Sequence, residues 1–206
     1  MKMLGVSREA YFALPLISNS HLSKVKGQLN TGAYKVPMNE AALSFGSLVD
    51  AILTQPQDTD VTHPDYKFAL QMSAEFLRDP FCKSMHELAE KQTVYTDTFE
   101  WTYNGDISEA DGKCLYDFDL SERAGADLKT VSAHNYKQFL SSVDMFDWDR
   151  QAVFYMTVSG KTKHSILGLS KKKIQPPFIL HINKGDEWWW KGREKMMELL
   201  WHNNLA

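Results

Sequence analysis

Cysteine is nearly absent: Cys82 and Cys114 are the two thiols in 206 residues, with no CxxC pair and no Cys/His spacing suited to zinc. Neither a disulfide framework nor an iron–sulfur cluster is therefore expected. No apolar run approaches the roughly 18 residues a membrane-spanning helix needs, and the N-terminus carries no hydrophobic leader core. The expectation is a cytoplasmic protein with no membrane partner. Positive charge is also in short supply. With a net charge of −3 and a pI of about 6.2, the chain lacks the global basic field of many nucleic-acid binders, although a local basic rim can coexist with an acidic site. The lysines that cluster (Lys161, Lys163, Lys171, Lys172, Lys173 and Lys184) read as a solvated edge that keeps strands from pairing further. No repeat or low-complexity segment is visible.

What the chain does have is enough apolar content, 43% over 206 residues, to bury a core, and its length suits one α/β domain better than two. The expected layout is a helical part over about residues 1–92 and a sheet with flanking helices over about 93–206. Ser18 or Ser20 can cap a short helix through about Lys26, and Gly27 to Pro37 reads as a polar loop. Asn39 can cap a helix whose Leu43, Val49, Ile52 and Leu53 face the core, with Gly46 marking either a close approach or a simply tolerated glycine, and Gln55-Pro56 the end. Pro64 and Pro80 each suit a first helical position, and Phe81, Met85 and Leu88 supply an apolar face after the second. Thr93 to Tyr103 is rich in β-formers and turns at Asn104-Gly105. Helices are predicted over Ala133–Ser142 and Phe146–Val158, strands over Lys163–Leu169 and Pro177–Ile182, and an amphipathic helix over Asp186–Asn203.

The stretch from Gly112 to Thr130 carries the chemistry. Cys114, Tyr116, Phe118 and Leu120 alternate with Lys113, Leu115, Asp117 and Asp119, as on a strand with one buried face. After a short turn, Asp127 and Lys129 lie two apart on a second strand and point the same way. Asp117, Asp127 and Lys129 are thus offered to one patch. Carboxylates on rigid strands suit a hard divalent cation that keeps several waters, and a nearby lysine can orient water or stabilise charge on a phosphate. An Asp-x-Lys tripeptide is common, however, and a hairpin with a polar solvent face accounts for it equally well. Gln151 and Tyr155, four apart, share one helix face, an arrangement also common without function.

Lys113-x3-Asp117, nine residues, then Asp127-x-Lys129-Thr130 resembles the core of the PD-(D/E)xK nucleases, in the lambda-exonuclease/RecE-like (exodeoxyribonuclease VIII-type) branch of phages and prophages. Three further segments resemble that branch in order: Tyr11 to Leu22 its opening, Ala42 to Leu53 its first core helix, and Asp149 to Tyr155 its Gln-x3-Tyr helix. The absence of a four-cysteine set separates the chain from iron–sulfur relatives of this fold. The resemblance implies a restriction-endonuclease-like core, a central mixed sheet flanked by helices, and a metal-dependent exonuclease acting on double-stranded DNA ends in phage-type recombination. It implies Mg2+, with Mn2+ as a substitute, held by Asp117, Asp127 and the Leu128 carbonyl, with Lys129 acting on water and Gln151 and Tyr155 orienting the scissile strand. Asp50 stands where many members have histidine, and is either a further ligand or a sign of altered chemistry. A ring-shaped trimer or tetramer is implied, with the Trp188–Trp190 run and Trp201 as contact material and a single-strand annealing protein as a possible partner. A structure- or site-selective endonuclease on the same core, and a catalytically silent DNA-end-binding protein, are the alternatives.

Overall fold

The structure, a computed structural model, describes residues 1–29 and 40–205. In chain order it comprises β1 (Lys2–Met3), α1 (Arg8–Ala13), α2 (Asn19–Leu29), α3 (Glu40–Thr54), a 3₁₀ turn (Pro56–Asp58), α4 (Tyr66–Phe76), α5 (Pro80–Leu88) and β2 (Glu90–Tyr103). There follow β3 (Asp106–Ser121), β4 (Ala124–Val131), α6 (Tyr136–Met145), α7 (Trp148–Ser159), β5 (Lys163–Ser170), β6 (Phe178–Asn183) and α8 (Glu187–Leu205). The ends are set by local chemistry. Asp79 accepts from Cys82 N at 2.9 Å with Pro80 in the first turn, and Ser18 Oγ accepts from His21 N at 3.2 Å. Asn104 and Gly105 both take positive φ (52° and 87°), the two-residue turn that matches strand twist in a hairpin.

The six strands form one mixed sheet in sequential order β1 to β6. All neighbours are antiparallel except β4 and β5, whose parallel pairing needs a crossover, supplied by α6 and α7. One face of the sheet packs on α2, α6, α7 and α8 through residues such as Tyr116, Phe139, Phe154, Ile166 and Met196. The other packs on α3, α4 and α5 through Leu48, Leu53, Met72, Phe76 and Phe118. This is the α/β architecture expected, a mixed sheet flanked by helices.

β3 is the pivot. Its register with β4 runs only from Ser121/Ala124 to Phe118/Ala126, while it stays paired with β2 along almost its whole length. The edge that β4 leaves free is partly taken by Ile17, whose N–H donates to Asp111 O and whose carbonyl accepts from Lys113 N. Lys113 reinforces this join from a buried position, its Nζ donating to the carbonyls of Tyr11, Phe12 and Leu14.

Several expectations need correcting. Cys114 and Tyr116 face the α7 layer whereas Phe118 faces α5, so β3 does not bury one continuous face: its alternation changes sense at Asp117. Leu43 is 54% exposed, and Phe81 and Leu88 also lie at the surface. Gly27 is helical, because α2 continues to Leu29; the rest of the predicted loop and the Asn39 cap lie outside the described residues. Pro64 stands in the turn ahead of α4, not in its first turn. α6 begins only after Asn135, whose side chain caps it, and α7 only after Asp147, held at φ 52°. Lys161 is no solvated edge residue but is ion-paired with buried Asp119 at 2.6 Å.

Candidate active site

Where β3 and β4 part, two backbone N–H groups lose the strand-to-strand partners a ladder would give them, and two carboxylates take their place. Leu128 N donates to Asp117 Oδ2 at 2.7 Å, and Asp117 N faces Asp127 Oδ1 at 3.5 Å. Because N–H and C=O of one strand residue point to the same side, the Leu128 carbonyl lies along the same gap. Asp127 is further fixed from behind by α7: Gln151 Nε2 donates to its Oδ2 at 2.7 Å. Lys129, on the same side of β4, places Nζ 3.7 Å from that oxygen. The predicted set of Asp117, Asp127, Lys129 and Gln151 is thus one physical cluster. Tyr155 lies deeper, buried and edge-on to Tyr116 at 5.3 Å, as part of the floor.

Asp50 approaches from the opposite layer. Thr54 Oγ1 lies 3.1 Å from its Oδ1, and the Gln92 amide lies 3.2 Å from that oxygen and 3.3 Å from Asp117 Oδ1. Gly46, one turn earlier on α3, brings the helix within 3.4 Å of Thr130 on β4 as measured from an added Cβ, which is ordinary contact. Two residues absent from the predicted site belong to it. Gln92 links Asp50 to Asp117. His164 on β5 is buried with Nε2 3.9 Å from Asp127 Oδ2. Burial, helped by Lys129, pushes His164 down to about 3, so it is neutral at neutral pH and the contact is not an ion pair.

The electrostatics of the cluster are those of carboxylates short of counter-charge. Burial, then the neighbouring Asp117 carboxylate, push Asp50 up to about 7. Asp117 is raised by burial and by Asp127; Asp127 is raised by burial against the opposing pull of Lys129. A divalent cation would relieve this, and the donors are hard oxygens that suit Mg2+ or Mn2+ better than a thiophilic metal. Among the described residues no three His, Cys, Asp or Glu side chains stand ready to hold an ion by themselves. Asp117, Asp127 and the Leu128 carbonyl supply oxygens of this hard kind along the gap, and Asp50 faces Asp117 across the Gln92 amide.

Neither a family model nor a curated protein matches the chain. Among solved structures, a candidate exonuclease from Eubacterium rectale aligns with a TM-score of 0.54 over 86% of this chain and 72% of its own, at 22% identity. The two chains share a fold. An alkaline exonuclease from Laribacter hongkongensis aligns at 12% identity over 96% of this chain and 93% of its own, with a TM-score of 0.46. A phage-related exonuclease from Haemophilus somnus aligns at 10% identity over 91% and 83%, with a TM-score of 0.44.

Elsewhere on the surface, Trp188, Trp189 and Trp201 are partly buried against the core, leaving Trp190 56% exposed. The Arg193 guanidinium lies 5.9 Å from the rings of both Trp189 and Trp190. Among the described residues no helix is long and apolar enough to cross a membrane.

Proposed function

We propose that the chain is a metal-dependent deoxyribonuclease of the PD-(D/E)xK, lambda-exonuclease/RecE-like kind, acting on double-stranded DNA ends. The observation that carries this reading is the convergence of Asp117, Asp127 and Lys129 at the parting of β3 and β4, with Gln151 fixing Asp127. The fold shared with a candidate exonuclease agrees with it. Asp117, Asp127 and the Leu128 carbonyl would hold Mg2+ or Mn2+, which when bound lowers the pKa of a water and draws charge from a phosphoryl oxygen. The chain's own contribution is positional. Gln151 holds Asp127 in one rotamer, and Lys129, whose side chain is only 18% exposed, presents an ammonium to water or to charge developing on a phosphate oxygen. Tyr155 and His164 supply an apolar, neutral floor that keeps this field from being screened.

A closed ring suits the activity. The chain has no excess of positive charge, phosphate attraction weakens steeply with salt, and enclosure holds DNA without relying on it. Exposed Trp190 beside Arg193 offers contact material for a trimer or tetramer. A single-strand annealing protein is the natural partner for such a product. Incubation with end-labelled linear and with closed circular duplex, in Mg2+ and in EDTA, tests the reading. Digestion of the linear form in Mg2+ alone, with circles spared, is the expected result. Ready nicking of circles by a monomer would favour the endonuclease instead, and no cleavage under any condition would leave an end-binding protein.

A further inference from the structure

Gln92 is the feature of the site that the nuclease motif does not explain. Its backbone takes φ +53°, a left-handed conformation unfavourable for a non-glycine residue that persists only where the surroundings hold it. β2 and β3 keep one register across it, Lys91/Phe118 on one side and Thr93/Tyr116 on the other, but the Gln92/Asp117 pair is missing from the ladder. This distortion places one side-chain nitrogen 3.2 Å from Asp50 Oδ1, 3.3 Å from Asp117 Oδ1 and 3.0 Å from Thr54 Oγ1. All three neighbours are oxygens. Both carboxylates are pure acceptors when ionised, and the Thr54 hydroxyl lies within donating distance of the Asp50 backbone carbonyl at 2.9 Å, so the amide must turn its NH2 toward them.

Two carboxylate oxygens from different elements facing one point is what a divalent ion needs, at about 2.0–2.1 Å for Mg2+. Here a neutral double donor stands at that point. Asp50 Oδ1 also lies 3.1 Å from Thr54 Oγ1, while Asp117 keeps its other oxygen on Leu128 N. We propose that Gln92 is a positioning residue whose amide fills the place between Asp50 and Asp117 where a second cation would bind, restricting the site to one divalent ion held by Asp117 and Asp127. Asp50 is then not a ligand. It anchors the amide, and the amide anchors Asp117. The inference rests on the metal-dependent reading above.

Its test is a count, with no DNA and no turnover: Mn2+ binding to the full chain, followed by electron paramagnetic resonance and calorimetry. Wild type is expected to bind one ion per chain, and Asp50→Asn still one. Gln92→Glu, which replaces the donor with a third carboxylate, is expected to bind two. Gln92→Ala, which removes the amide and leaves both acids, is expected to admit the second ion as well, and decides the matter if the Glu variant fails to fold. Two ions in wild type with one lost in Asp50→Asn would overturn the inference, as would a single ion in both folded Gln92 variants. Absence of saturable Mn2+ binding in wild type is a different result: it would remove the metal-dependent reading itself, and this inference with it.

Discussion

Gln151 on α7 donates to Asp127 on β4 at 2.7 Å, so the rotamer of a site carboxylate is set by a helix behind the sheet. That helix is seated in turn by α8, which approaches so closely at Gly192 that a Cβ there would lie 2.5 Å from the Asp149 carbonyl oxygen and 2.9 Å from Val153. Backbone cannot yield as a side chain can. Gly192→Ala should therefore lower stability by about 1–3 kcal/mol despite its better helix propensity. Gly27, also helical, has nothing within 4 Å of an added Cβ, and Gly27→Ala should raise the melting temperature slightly. Thermal unfolding of the two variants beside wild type checks both signs.

Lys129 lies close enough to Asp127 to be either structural or chemical. If it acts on water and developing charge, Lys129→Ala should reduce turnover by about two to three orders of magnitude, the scale of one electrostatic donor, with Mn2+ affinity little changed. Lys129→Arg should not restore it, because a guanidinium differs in shape and cannot give up its proton. Parallel loss of Mn2+ affinity in the Ala variant would make the lysine structural.

A second buried charge cluster predicts pH dependence away from the site. Burial alone would raise Asp119, but donors from Lys161, Lys2 and Tyr95 outweigh it and hold the carboxyl below its ordinary value. Asp119 and Lys161 side chains are each 1% exposed, so removing one partner strands the other, a loss of about 3–5 kcal/mol. A carboxyl depressed in the folded state stabilises above its unfolded pKa of about 3.9, and that contribution fades as pH falls through the lower folded value. The melting-temperature gap between wild type and Asp119→Asn should be full at pH 7 and close progressively below about pH 4. A gap that stays constant down to pH 3 would contradict the pairing.

The parts legible in the sequence are those in which function follows local spacing. Asp127 and Lys129 must share a side of one strand and Asp117 belongs to the strand before it, whereas Gln151 is reached only through the resemblance, because α7 is buried nearly all round and its periodicity marks no face. What escaped depends on the chain leaving its regular geometry. The change of sense at Asp117 puts Tyr116 and Phe118 in different layers although they are two apart, and a pattern of alternating residues carries no sign of it. Gln92 falls opposite Asp117 once β2 and β3 are in register, and its positive φ is a conformation glutamine does not advertise. His164 looks like any strand residue until β4 and β5 pair in parallel and bring it beneath Asp127. Leu43 fitted an apolar helical stripe, yet α4 covers a different arc of α3.

The parting of β3 and β4 is the proposed seat of hydrolysis, and Asp127→Asn tests it most directly. The substitution is nearly isosteric and opens no cavity; it removes one buried charge and leaves an oxygen for Gln151. Cleavage of end-labelled linear duplex in Mg2+ should be abolished, while circular dichroism and the melting temperature of the metal-free chain stay at or above wild type. Cleavage at the wild-type rate by a folded Asp127→Asn chain would contradict the account.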